Sequence, residues 1–180
     1  MPVTQPPPVS AGSFSDALLT PWSANALGPK MTGMPAAAST TFGVANLAIF
    51  IPFFLNRTEL VQHLACQNGS TVAGNIDIGI YDAAFARIIS TGSVLQAGAS
   101  TVQAIDVADT DLLAGQYWLA LSHSNATATQ WGIAATGSMP RSWGMRTQTV
   151  FPLPVNAAPI PAGLGIALPH PMVAFRLQAP

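Results

Sequence analysis

Ionic side chains are scarce in this chain. Only 7% of its 180 residues are Asp, Glu, Lys or Arg, where ordinary soluble domains carry about 25%. The six bases, Lys30, Arg57, Arg87, Arg141, Arg146 and Arg176, form no cluster able to neutralise a run of phosphates, which argues against nucleic-acid binding. Cysteine is nearly absent too. Cys66 stands alone, so no intramolecular disulfide can form, and its neighbours Leu60, Val61, Leu64 and Ala65 point to a buried, inert thiol. Long apolar runs are missing: the longest, residues 42–55, falls short of the roughly 20 residues a membrane helix needs and contains Asn46 and Pro52. The opening MPVTQPPPVSAG has neither the basic start nor the apolar middle of a secretory signal.

Catalytic and metal-binding patterns are also lacking. The three histidines are His63 in an apolar segment, His123 at the start of a polar loop and His170 between two prolines. None neighbours a GxSxG elbow, and no HExxH, CxxC or EF-hand spacing occurs. The one carboxylate cluster, Asp106, Asp109 and Asp111 in DVADTD, lacks the further ligands and glycine of a calcium loop and reads as solvated turn aspartates. Asp77, Asp82 and the lone Glu59 are too few and too peripheral for a glycosidase pair. No catalytic residue, metal site or cofactor is therefore assigned, and the chain is not expected to be an enzyme.

What the sequence does have is apolar content, 49% with a mean hydropathy of +0.40, so it folds rather than staying disordered. In residues 75–122, Ile76, Ile78 and Ile80 alternate with Asn75, Asp77 and Gly79, which predicts a strand with one inward face. Residues 87–91, the Ile105–Asp106–Val107 triplet and the row Tyr117, Leu119, Leu121 predict three more, with Gly92, Gly98 and Gly115 at the turns. Short strands at this spacing predict an all-β, antiparallel sandwich. Residues 131–135 predict a further strand, and residues 149–171, rich in proline, extended loop. Residues 44–55 read as a strand buried on both faces or lying partly in an interface, with Pro52 at an edge or bulge.

Residues 1–39 differ in character. Pro2, Pro6, Pro7, Pro8, Pro21, Pro29 and Pro35 break any ladder, yet Phe14, Leu18, Leu19, Trp22, Leu27, Met31 and Met34 are scattered among them. That combination predicts an extended Pro-rich arm whose apolar side chains are assembly contacts, buried on a neighbouring subunit or on the chain's own sandwich; residues 15–19 could add a helical turn. The division is thus an arm over 1–39 and a sandwich over 40–180.

The run GNIDIGIYD, then STGS, then LLAGQYWLALS resembles a β-sandwich module of tailed-bacteriophage structural proteins. The resemblance covers roughly residues 40–180 and rests on structural motifs, with 44–55 as the preceding strand, 172–178 as the last, and 60–66 as a strand despite the helical spacing of Leu60, Val61 and Leu64. It implies a jelly-roll-like fold, a place on the virion of tail-fibre, head-fibre or decoration type, homo-oligomeric and virion partners, and no membrane insertion. A glycan or partner contact is expected around Trp131, Arg141, Trp143 and Arg146, with Trp118, Asn125 and Gln130 as further candidates. A carbohydrate-binding module of a secreted protein is the remaining alternative.

Overall fold

The structure, a computed structural model, describes residues 17–19, 37–135, 144–162, 168–171 and 173–177. Residues 17–19, 37–38, 133–135, 168–171 and 174–177 are described by their backbone. All regular structure among these residues is β, and their strands pair antiparallel. The strands are β1 (Ala17–Leu19), β2 (Ala37–Thr41), β3 (Leu47–Leu55), β4 (Glu59–Gln67), β5 (Asn75–Asp82), β6 (Arg87–Ser90), β7 (Val94–Leu95), β8 (Val102–Leu112), β9 (Gly115–His123), β10 (Thr129–Ala135), β11 (Arg146–Thr149), β12 (Ile160–Pro161), β13 (Leu168–Pro171) and β14 (Val173–Leu177).

Three sheets result. The largest runs β12-β11-β3-β9-β5-β6, with β7 also on β5; a four-stranded sheet runs β1-β14-β4-β8; a three-stranded sheet runs β13-β10-β2. The first two share one apolar core. Alternation decides which side chains enter it: the cross-strand rows Ile49–Leu121–Ile78 and Ile51–Leu119–Ile80 face Val61, Leu64, Leu112 and Val173 of the smaller sheet. Each isoleucine or leucine so buried contributes about 1.5–3 kcal/mol.

The expected strands at 75–82, 87–90, 115–123, 129–135 and 173–177 are present, and 59–67 is a strand. Its helical spacing comes from a register shift between Val61 and His63 in the ladder with β8, which turns Val61 and Leu64 to the same side. Pro52 sits where β11 has stopped: the β11 ladder ends at Phe50, so Pro52 pairs with β9 alone and its missing N–H breaks nothing on the other side.

Four expectations are corrected. The DVADTD segment is not a loop but the second half of β8, where an edge strand leaves Asp106, Asp109 and Asp111 in solvent. Ala17–Leu19 is extended, not helical; pairing with β14 supplies ladder hydrogen bonds that one isolated helical turn would not hold. His123 does not begin a polar loop but fills the last inward position of β9, in the row Leu47–His123–Ile76. Asp77 is not peripheral but fully buried, because the outer face of the large sheet is covered as well.

That cover is residues 150–157, which cross the outer face as a strap. Beneath them lie Ala48, Phe50, Tyr81, Trp118 and Ala120, with Leu153 of the strap packed among them. Gly79 makes the close approach possible: a Cβ there would meet Leu153 Cδ1 at 3.0 Å and the Ile89 carbonyl oxygen at 3.1 Å. This second layer explains why β3 and β5 are buried on both sides.

Candidate functional site

Polar side chains concentrate in two places, one on each side of the large sheet. On the outer side Asp77 anchors the strap. Its carboxylate accepts from Ser90 Oγ (2.7 Å), from Thr91 Oγ1 (3.3 Å) and from the Leu153 backbone N–H (2.9 Å). Tyr81 donates its hydroxyl to the Pro154 carbonyl (2.7 Å), Ser122 donates to the Val150 carbonyl (2.7 Å), and Arg87 Nη1 donates to the Leu153 carbonyl (2.5 Å). Burial raises the Asp77 carboxyl above its ordinary range, against the opposing pull of these hydrogen bonds and of the Arg87 charge. Burial also pushes the Tyr81 phenol upward.

On the inner side, where the three sheets meet, Cys66, Asn68, Gln96, Gln103, His123 and Gln130 form a polar cluster. Four of the six, Asn68, Gln96, His123 and Gln130, are buried polar groups. Asn68 Nδ2 donates to the Ala97 carbonyl (2.6 Å) and to Gln103 Oε1 (3.0 Å), while its Oδ1 accepts from Gln96 Nε2 (3.1 Å) and Gln130 Nε2 (3.2 Å). Gln130 Nε2 also lies 3.1 Å from His123 Nε2 and 3.7 Å from Cys66 Sγ. Burial pushes the Cys66 thiol up to about 12 and the His123 imidazole down to about 4. Both are neutral near pH 7, so this Cys–His pair holds no thiolate and no imidazolium; a nucleophile would need the thiolate. Among the described residues no three His, Cys, Asp or Glu side chains lie together as a metal would require.

The expected contact residues are dispersed. Arg146 of β11 lies with its guanidinium 5.3 Å from the Phe85 ring centre and 5.4 Å from that of Trp118, and Nη1 donates to the Pro159 carbonyl (3.3 Å). Phe85 stacks on Trp118 at 4.7 Å. It reaches that place through a tight turn in which Asp82 Oδ1 accepts from the Ala84 and Ala86 N–H groups and Phe85 takes φ +65°. Trp118 is thus a buried member of the strap layer and offers no open face for a sugar. Gln130 is fully buried, and Asn125 spends its Oδ1 on Thr127. Trp131 stands half-buried on β10 opposite Ser39, in a different sheet from Arg146. Arg141, Trp143, Phe14, Trp22, Met31 and Met34 lie outside the described residues. Leu18 and Leu19 are placed by their backbone in β1, beside β14 of the same chain.

The surface itself carries large apolar side chains. Phe54, Leu95, Leu113, Val155 and Ile160 are between 60% and 72% exposed. Phe54 follows Pro52 on the outer face of β3, just past the end of β11. The exposure of Phe54 was not legible in the sequence, because a strand's polarity pattern does not show where a neighbouring strand stops. No helix among the described residues is long and apolar enough to cross a membrane. Compared with protein-family models, with curated proteins and with solved structures, the chain matches none of them.

Proposed function

We propose that this chain is a non-enzymatic structural subunit of a tailed-phage virion, a tail-associated or head-fibre module that contributes to host attachment. The observation that carries this reading is the pairing of a 7% charge content with exposed Phe54, Leu113 and Ile160. A free monomer keeps its surface wet with many more ions, and an apolar surface not so protected is suited to contact with other subunits. The internal chemistry agrees in kind: Asp77 and Tyr81 are spent on bracing the strap, and Cys66 and His123 are neutral and enclosed. In this reading the two large sheets make a jelly-roll-like sandwich. The arm over residues 1–39 anchors it, with Phe14, Leu18, Leu19, Trp22, Met31 and Met34 as contacts. Residues 141–146 and Trp131 belong to the surface offered to a glycan or partner protein. Capsid decoration is the same reading with a different seat on the particle.

Sedimentation of the purified chain tests it. The intact protein is expected to associate, and the triple variant Phe54→Ser, Leu113→Ser, Ile160→Ser, or removal of residues 1–39, is expected to shift it toward monomer. A monodisperse monomer at high concentration, unaffected by these changes, would remove the assembly reading. Immunogold labelling of intact tailed particles then tests the virion assignment separately.

A further inference from the structure

The amide groups of the inner cluster have only one consistent orientation. Gln103 is fixed at both ends by main chain: Oε1 accepts from the Ala97 N–H (3.0 Å) and Nε2 donates to the Leu95 carbonyl (2.8 Å). Gln96 is fixed likewise, with Oε1 accepting from the Ala73 N–H (2.9 Å) and Nε2 donating to the Thr129 carbonyl (3.0 Å). Asn68 must then present Nδ2 to the Ala97 carbonyl and Gln103 Oε1, and Oδ1 to Gln96 Nε2. An acceptor at Asn68 Oδ1 requires a donor from Gln130, so it is the Gln130 amide nitrogen that faces His123. Turning any one amide over would set acceptor against acceptor or donor against donor in a buried site. His123 Nε2 therefore has to accept, and its single ring proton must sit on Nδ1, which has no hydrogen-bond partner among the described residues. Within the cluster, the other buried polar atom left without a partner is Gln130 Oε1.

We propose that His123 is the proton-sensitive end of this one-way relay, and that acid releases the three-stranded sheet from the rest of the β-structure through it. A proton added to the ring lands on Nε2 and sets N–H against N–H across 3.1 Å. Gln130 cannot answer by rotating, because its oxygen would then face Asn68 Oδ1. The main-chain ties between β10 and the segment that follows β4 are few: Gly69 N–H to the Thr129 carbonyl (2.9 Å), Thr129 N–H to the Thr71 carbonyl (2.9 Å) and the isolated bridge Asn68 to Gln130. Moving Gln130 loosens all three, since they flank it.

The groups around His123 leave the proton no easier place. Its neighbours in β3 and β5 are Leu47 and Ile76, the Phe42 ring lies 4.3 Å from its own, and Ser122 and Asp77 point to the opposite face of the sheet. Cys66, across Gln130 on β4, is the one other titratable side chain in the cluster, and it is already a protonated thiol. No carboxylate among the described residues hydrogen-bonds to the relay.

Two measurements on the full chain test this. Ring nitrogen-15 spectra at about pH 7 are expected to show His123 protonated on Nδ1 and bare on Nε2; the reverse tautomer would overturn the relay. Amide exchange, followed as protection factors from about pH 7 to about pH 4, is expected to fall at least about tenfold further in β10 than in β5. Equal loss in both strands would overturn the release. His123→Gln, whose amide oxygen can accept from Gln130 without titrating, is expected to retain β10 protection at the acid end. Loss at the same pH as the parent would count against His123 as the trigger. The parent protein's two measurements decide the matter on their own if that variant folds poorly.

Discussion

Asp77 shows how much one side chain can organise. It is one of seven acids in the chain, and it lies under the strap with three donors aimed at it. Asp77→Ala strands the Leu153 N–H and both hydroxyls, and is expected to cost about 2–3 kcal/mol in denaturant unfolding, with faster exchange at the Leu153 amide. Asp77→Asn is expected to lose less, since an amide oxygen can still accept from Ser90 and Thr91 while its NH₂ opposes Leu153. If the alanine variant unfolds at the parent's denaturant concentration, the strap is not held from this carboxylate. The sequence displayed Asp77 only as the polar half of an alternating strand. Its burial became visible once residues 150–157, some seventy positions later, were laid across that face. Nothing local in NIDIGIYD announces a second cover.

At the scale of elements, β8 is the most exposed problem the fold solves. It is an edge strand of 11 residues, and long edges invite pairing with other chains. Two copies of β8 brought together antiparallel would set Asp106, Asp109 and Asp111 against their own kind. Replacing all three by Ser or Val is expected to raise aggregation on mild heating, read by light scattering, with little change in the melting of the monomer. Unchanged scattering would show that the edge is protected by something else. The strands themselves were largely legible, because Ile76–Ile80 and Tyr117–Leu121 alternate cleanly and Gly92, Gly98 and Gly115 punctuate them. The DVADTD segment misled because acids usually mark loops, whereas on an edge strand they serve as deterrents. Leu60, Val61 and Leu64 imitated a helix because one register shift moves the inward positions from a spacing of two to three.

For the whole molecule the ionisation of buried groups sets the dependence on pH. The His123 imidazole is pushed down to about 4 in the fold, against about 6.5 unfolded. Unfolding therefore takes up a proton as pH falls below about 6.5. The stabilisation is complete above that value and declines toward pH 4, by on the order of 3 kcal/mol. Asp77 works the other way: its raised carboxyl adds stability at low pH that is lost as pH rises through its folded value. The net expectation is a decline from about pH 6.5 downward that Asp77 softens at its acid end. His123→Gln is expected to flatten the curve across that window in chemical denaturation. A parent protein equally stable at both ends would contradict the assignment of a neutral, enclosed imidazole. None of this was legible in SHSNATATQ, where His123 looks like the start of a polar loop. Its inward direction depends on β9 continuing to its last residue beside Leu47 and Ile76.

Strand β14 lies between β1 and β4 although it comes last of the described strands, and Val173 pairs with Cys66 across more than a hundred intervening residues. During synthesis β4 therefore waits with one flank uncovered until residues 173–177 have left the ribosome. The four-stranded sheet cannot close until that stretch has been made, and refolding is governed by the late closure of a long chain loop. Nascent chains stalled before residue 173 would expose β4 to whatever else in the cell can lie alongside it.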